Sequence, residues 1–184
     1  PATPEIYTLS LHDAIPIWGV GKTTLGRILT KCLNCEKGLK SSPCNKCQAC
    51  ESINEGRFID FQEVDAASIR GVEETQQLLE TVMHMPGSSR YKVYLIDEVH
   101  MLSKHSFNAL LKTLEEPPPH VVFILATTEP EKVPATVLSR CLQFHLKNLT
   151  PSQLSERLEE VLSEENVKYD VESKIGRASC RERV

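Results

Sequence analysis

The chain has 184 residues, 40% hydrophobic and 25% charged, enough for one or two packed domains and unlike the composition of a disordered or fibrous protein. No apolar run approaches the roughly 20 residues that cross a bilayer, and the first residues lack the basic, apolar, small-residue order of a secretory signal, so a cytoplasmic protein without membrane contact is expected. The net charge of -4 carries no general basic signature, so nucleic-acid contact must come from a local patch or from partner subunits, and the 7 cysteines point to metal or reduced thiols rather than disulfides.

In chain order, residues 1–18 are set aside first. The tail Ile175-Gly-Arg-Ala-Ser-Cys-Arg-Glu-Arg-Val184 can be encoded by a DNA string whose complementary strand, in a shifted frame, reads as Thr8-Leu-Ser-Leu-His-Asp-Ala-Leu-Pro-Ile17, with Leu in place of Ile15. The two ends read as one sequencing-adapter-like string entered from opposite directions, which makes 1–18 and 174–184 non-native segments. From Thr24 to Leu33, Leu25, Ile28, Leu29 and Leu33 recur at helical spacing, a stripe expected to pack on one face. Cys35 to Cys50 is a Cys, Pro and Lys-rich interruption without periodicity. A short helix is expected near Gln48 to Asn54, a strand at Phe58 to Val64, and a helix at Val72 to Met83 ended by Met85-Pro-Gly-Ser-Ser. Val93 to Ile96 has the length of a buried strand, and Ser103 to Leu114 is an amphipathic helix stopped by Pro117-Pro-Pro119. Val121 to Ala126 and Cys141 to Leu146 add two strands, and Thr150 with Pro151 fits the cap and first turn of a helix through Leu162. Strands alternating with helices argue a parallel α/β sheet.

Gly19-Val20-Gly21-Lys22-Thr23-Thr24 opens a helix and supplies the end of a P-loop. Backbone N–H groups face phosphates, Lys22 reaches the β/γ oxygens and Thr23 would bind magnesium. The full pattern wants a first Gly five residues before Gly21, where the chain has Pro16, which removes an N–H donor. From this hexapeptide alone, a glycine-rich helix start of no function stays open. Val93-Tyr-Leu-Ile-Asp97-Glu98 then adds an apolar strand running into two acids, the form of a Walker B element. Asp97 can hold the magnesium shell and Glu98 can polarise the attacking water.

Cys35, Cys44, Cys47 and Cys50 bring four thiolates into one short segment, with two C-x2-C turns sharing Cys47, as a closed tetrahedral zinc site needs. Four protein ligands leave no open position, so the zinc is expected to be structural and to stabilise a module too small for its own core; an iron–sulfur cluster is the alternative. Cys32 and Cys141 read as packing residues. His100 and His105 have no ligand partners at useful spacing and read as structural.

Gly-Lys-Thr, the four-Cys insert, Leu95-Ile-Asp-Glu-Val-His-Met-Leu-Ser, Asn108-Ala-Leu-Leu-Lys-Thr-Leu-Glu-Glu-Pro117, Leu125-Ala-Thr-Thr and Leu138-Ser-Arg-Cys141 together resemble the tau/gamma subunits of bacterial DNA polymerase III clamp loaders, which are AAA+ ATPases. The resemblance covers nearly all of residues 19–173. It implies an AAA+ P-loop NTPase sheet flanked by helices, with a small zinc module (35–50) inserted after the first helix of a partial ATPase core (19–148) and the start of a helical lid (149–173). It implies ATP, Mg2+ and Zn2+ as cofactors, and the ATP-driven loading of a sliding clamp onto primed DNA during replication. Arg140 is implied as an arginine finger acting in trans, and Thr128, rather than Thr127, as the sensor orienting water or the γ-phosphate. The implied partners are the delta, delta-prime and further tau/gamma subunits of a ring, the sliding clamp, and primer-template DNA. Asp65 to Gly71 holds the position of clamp-loader segments near DNA, with Arg70 its one basic residue. The strand and adenine-contacting residues that should precede Gly19 are missing from this reading, as are most of the lid, its second sensor and the oligomerisation collar. The chain therefore resembles an internal fragment. The competing expectation, and the one for the chain as it stands because Pro16 and the missing strand impair folding and phosphate binding, is a zinc-stabilised scaffold that binds clamp and polymerase partners without hydrolysis.

Overall fold

The computed structural model describes residues 7–11, 21–69, 71–146 and 150–164. Its elements are β1 (Tyr7–Leu11), α1 (Lys22–Asn34), α2 (Gln48–Asn54), β2 (Phe61–Asp65), α3 (Val72–Val82), β3 (Lys92–Asp97), α4 (Lys104–Glu115), β4 (Val121–Thr127), α5 (Ala135–Leu138), β5 (Leu142–Leu146) and α6 (Pro151–Glu164). Short 3-10 turns at Val99–Met101 and Pro130–Lys132 follow β3 and β4. The strands form one parallel sheet in the order β2-β3-β4-β1-β5. Among the described residues no helix is long and apolar enough to cross a membrane.

The strands β3 and β4 are continuous apolar runs because both faces of the sheet are covered. Val93, Leu95, Ile124 and Ala126 lie in one cluster with Leu29 and Leu33 of α1. Alternate residues Tyr94, Ile96, Phe123 and Leu125 lie in the other, with Val82 of α3 and Phe107, Leu110 and Leu114 of α4. The Tyr94 and Phe123 rings stack at 5.6 Å, and Tyr94 Oη meets Thr81 Oγ1 at 3.0 Å, so the buried hydroxyl is paired. Ser103 caps α4 by accepting the Ser106 N–H at 3.1 Å.

Three sequence expectations are revised. No element was expected before Gly19, yet Tyr7–Leu11 is a strand hydrogen-bonded between β4 and β5. Two parallel strands one strand apart leave unpaired backbone groups, and a short Tyr, Thr and Leu-containing segment satisfies both edges. In α1, Leu29 and Leu33 pack on the sheet as expected, but Leu25 and Ile28 are 37% and 40% exposed, and the buried positions include the row Lys22, Gly26, Thr30 and Asn34. This i, i+4 row is chosen by close approach: a Cβ on Gly26 would lie 3.0 Å from Leu95 Cδ2, so the helix packs on the sheet by its smallest residue. Finally, β2 starts at Phe61 rather than Phe58, because the Phe61 N–H donates to Phe58 O at 3.1 Å and closes a turn there.

The chain divides into two units at Leu146 and Lys147. In the second, Thr150 and Gln153 cap α6 reciprocally: the Gln153 N–H donates to Thr150 Oγ1 at 3.3 Å, and the Thr150 N–H to Gln153 Oε1 at 3.0 Å.

Candidate nucleotide site and cysteine cluster

The residues expected to form a phosphate site lie at the start of α1 and at the carboxyl ends of β3 and β4. In an open parallel sheet the carboxyl ends of the strands are where ligands bind. Gly21, at φ 85, caps α1 in a left-handed conformation that glycine adopts without cost, and Lys22 and Thr23 follow on the first turn. Asp97 ends β3 and Glu98 follows it; Thr128 follows β4. Gly19, Val20 and Pro16 lie outside the described residues, as do Arg70 and the segments 165–173 and 174–184. Thr24 is exposed on α1.

The contacts form one network. Lys22, 7% exposed, places Nζ 2.8 Å from Glu98 Oε1 and 4.0 Å from Asp97 Oδ1. Thr23 Oγ1 donates to Asp97 Oδ2 at 3.1 Å, and Asp97 Oδ1 accepts the Glu98 N–H at 2.9 Å. Thr128 donates to Glu98 Oε2 through its hydroxyl at 2.9 Å and its N–H at 3.3 Å. Burial pushes the Glu98 carboxyl up, but the Lys22 ammonium and the Thr128 hydrogen bonds outweigh it and hold the group below the usual carboxylate range. An ionised carboxylate, a lysine and two hydroxyls thus converge where a helix N-terminus opens, an arrangement suited to anionic phosphate and a hard cation.

His100, set aside in the sequence, belongs to this network. Its side chain is 7% exposed, with Nδ1 3.0 Å from Thr127 Oγ1 and 3.3 Å from Glu98 Oε2, and Nε2 3.2 Å from Glu129 Oε1. Spacing along the chain could not reveal it, because its partners arrive on β4 and the loop beyond. His105 is exposed on α4. Arg140 follows α5 and is half-exposed; its guanidinium donates to Thr136 O at 2.7 Å and to Glu115 Oε1 at 2.9 Å, apart from the network above.

The sulfurs of Cys35, Cys44, Cys47 and Cys50 lie within 4.8 Å of one another, and Cys35 and Cys50 are buried. A tetrahedral zinc with bonds of about 2.3 Å needs sulfur separations near 4 Å, so the set fits the ion. The Lys46 backbone N–H is the main cause that draws the Cys44 thiol down to about 6, while burial, followed by sharing with Cys47, pushes Cys50 up to about 12. The module is tied to the sheet by residues the sequence did not flag. Asn34 accepts the Tyr91 N–H at 2.9 Å and donates to Tyr91 O at 3.0 Å, and Arg90 donates to Cys35 O. Cys32 stands apart from the cluster, donating to Ser41 O at 3.6 Å, and burial raises its thiol. Cys141 packs against the core beside α5.

Similar folds occur in a DNA polymerase III gamma subunit-related protein of Thermotoga maritima (TM-score 0.55, 15% identity, 88% of this chain and 48% of that one) and in the RuvB Holliday junction branch migration motor of the same organism (TM-score 0.61, 17% identity, 95% and 48%). The fold is that of an AAA+ protein. In sequence, the chain is 59% identical over 152 residues to DNA polymerase III subunit tau of Escherichia coli, which covers 83% of this chain and 24% of the relative. It is 51% identical over 157 residues to subunit gamma of Buchnera aphidicola subsp. Baizongia pistaciae, covering 85% and 42%. The tau subunit of Bacillus subtilis is 47% identical over 152 residues, covering 83% and 27%. The chain thus spans less than half the length of each of these relatives. A family model described as DNA polymerase III, delta subunit, matches residues 11–150, and the chain belongs to that family, as a relative of its tau and gamma subunits.

Proposed function

We propose that this chain is a partial core of the ATP-binding and hydrolysing motor subunit of the DNA polymerase III clamp loader, with hydrolysis a property of the full-length subunit. Residues 19–148 would form the core, 149–173 the start of its lid, and 1–18 and 174–184 would be non-native. The convergence of Lys22, Thr23, Asp97, Glu98 and Thr128 at one sheet edge carries the reading. Gly19, Val20, Gly21 and Thr24 complete the phosphate cradle and Lys22 neutralises the β/γ oxygens. Thr23 and Asp97 would hold magnesium, which offsets negative charge on the phosphates when bound. Glu98 polarises the attacking water, Thr128 serves as the sensor that orients water or the γ-phosphate, and Arg140 of one subunit serves the site of its neighbour, where a planar cation stabilises the charge of the transferred phosphoryl group. Cys35, Cys44, Cys47 and Cys50 would bind a structural zinc, with no open position for catalysis.

The whole subunit would work in the cytoplasm within a ring of delta, delta-prime and other tau/gamma subunits. ATP binding would open the sliding clamp and grip primer-template DNA, and hydrolysis would release the loaded clamp. In the full-length protein, Lys22→Ala should abolish ATP binding, measured by equilibrium titration with a fluorescent ATP analogue. Arg140→Ala should spare binding and slow hydrolysis only in the assembled ring. Retained binding in Lys22→Ala would favour a non-hydrolysing scaffold, and normal turnover in Arg140→Ala would remove the finger assignment.

A further inference from the structure

Glu98 is held at both carboxylate oxygens, and the two sides differ in permanence. Its Oε1 takes the Lys22 ammonium at 2.8 Å, the group that the ATPase reading assigns to phosphate. Its Oε2 takes the Thr128 hydroxyl at 2.9 Å and lies 3.3 Å from His100 Nδ1. Once Lys22 turns to phosphate, only the Oε2 side still fixes the carboxylate. Glu98 also stands at φ 48 and ψ 45, a left-handed conformation that a non-glycine residue adopts at a cost and keeps only when its surroundings hold it there. The His100 ring is well placed for that task. It is nearly fully buried, and with its hydrogen on Nδ1 the ring can share that N–H between the Thr127 hydroxyl oxygen at 3.0 Å and Glu98 Oε2 at 3.3 Å. That hydroxyl is itself fixed by the Glu129 N–H at 3.0 Å.

We propose that His100 is a positioning residue: through Nδ1, braced by Thr127, it holds the Oε2 side of Glu98, so that Oε1 stays aimed at the attacking water after Lys22 has moved to phosphate. The proposal rests on the ATP-hydrolysis reading of the site. The test uses two amides that divide the ring's contacts. Asn carries its amide at the bond distance of Nδ1 and can meet Thr127 and Glu98, whereas Gln carries it at the distance of Nε2 and can meet Glu129. In the full-length protein assembled with its partner subunits, affinity for an ATP analogue and steady-state turnover are measured for His100→Ala, His100→Asn and His100→Gln, with thermal melting for each. The expected result is affinity close to wild type in all folded variants, turnover lowered about 10- to 100-fold in His100→Gln, and turnover restored to near wild type in His100→Asn. A structural tie between the ends of β3 and β4 would make the two amides behave alike; equal turnover in His100→Asn and His100→Gln, or affinity falling in step with turnover, overturns the proposal. Lys22→Ala, run alongside, separates the failures: if it still binds ATP, the hydrolysis reading itself has failed.

Discussion

Asp60 illustrates how one buried carboxylate organises backbone far from it in sequence. It is 2% exposed, and its oxygens accept the Gly87 N–H at 2.9 Å, the Ser88 N–H at 3.2 Å and the Ser89 hydroxyl at 2.8 Å. Burial raises its pKa, but these donors prevail and hold the carboxyl below its ordinary 3.8. A group depressed by folding contributes stability that is whole above its unfolded value and is lost as pH falls through the lower folded value. Asp60→Asn should therefore cost about 1–3 kcal/mol at neutral pH, and urea unfolding below pH 3.8 should show the gap to wild type closing. A gap that stays constant with pH would mean that shape, not charge, ties the loop. Nothing in the sequence around Asp60 indicates this role, because all three donors come from the loop between α3 and β3.

At the scale of elements, the buried row of α1 shows where periodicity misleads. Leu25 and Ile28 fit an apolar stripe by spacing, yet they are exposed, and only Leu29 and Leu33 of that stripe pack on the sheet, beside the buried Lys22, Gly26, Thr30 and Asn34. The rotation of the helix places Lys22 against Glu98 and Asn34 against Tyr91, and both contacts are invisible in a local window. Gly26→Val should accordingly destabilise the fold by about 1–3 kcal/mol through overpacking on Leu95, read by urea unfolding. A neutral result would show that Leu95 can give way. The cysteine module was far more legible, because thiolate spacing is local: all four expected residues meet. If it holds zinc, the purified protein should contain one equivalent, and a chelator or Cys47→Ser should lower its melting temperature. Equal melting with and without chelator would mean that the cluster needs no metal.

For the whole molecule, the alternation of strands and helices was enough to read a parallel α/β sheet, because buried strands such as Val121–Thr127 are continuous apolar runs. Strand order was not legible, since sequence carries no direct record of which neighbours pair across a crossover. The slot filled by Tyr7–Leu11 was missed because residues 1–18 were read by their coding pattern rather than their strand propensity. The residues Lys22, Thr23, Asp97, Glu98 and Thr128 stood out in the sequence by type and order, and the structure brings their side chains into one network. Their convergence on Glu98 makes the most direct test a measurement on that residue. Glu98→Gln in the full-length assembled complex should bind ATP as wild type does while single-turnover hydrolysis falls by on the order of 100- to 10,000-fold. Hydrolysis at the wild-type rate with binding intact would contradict the assignment of this site to water activation.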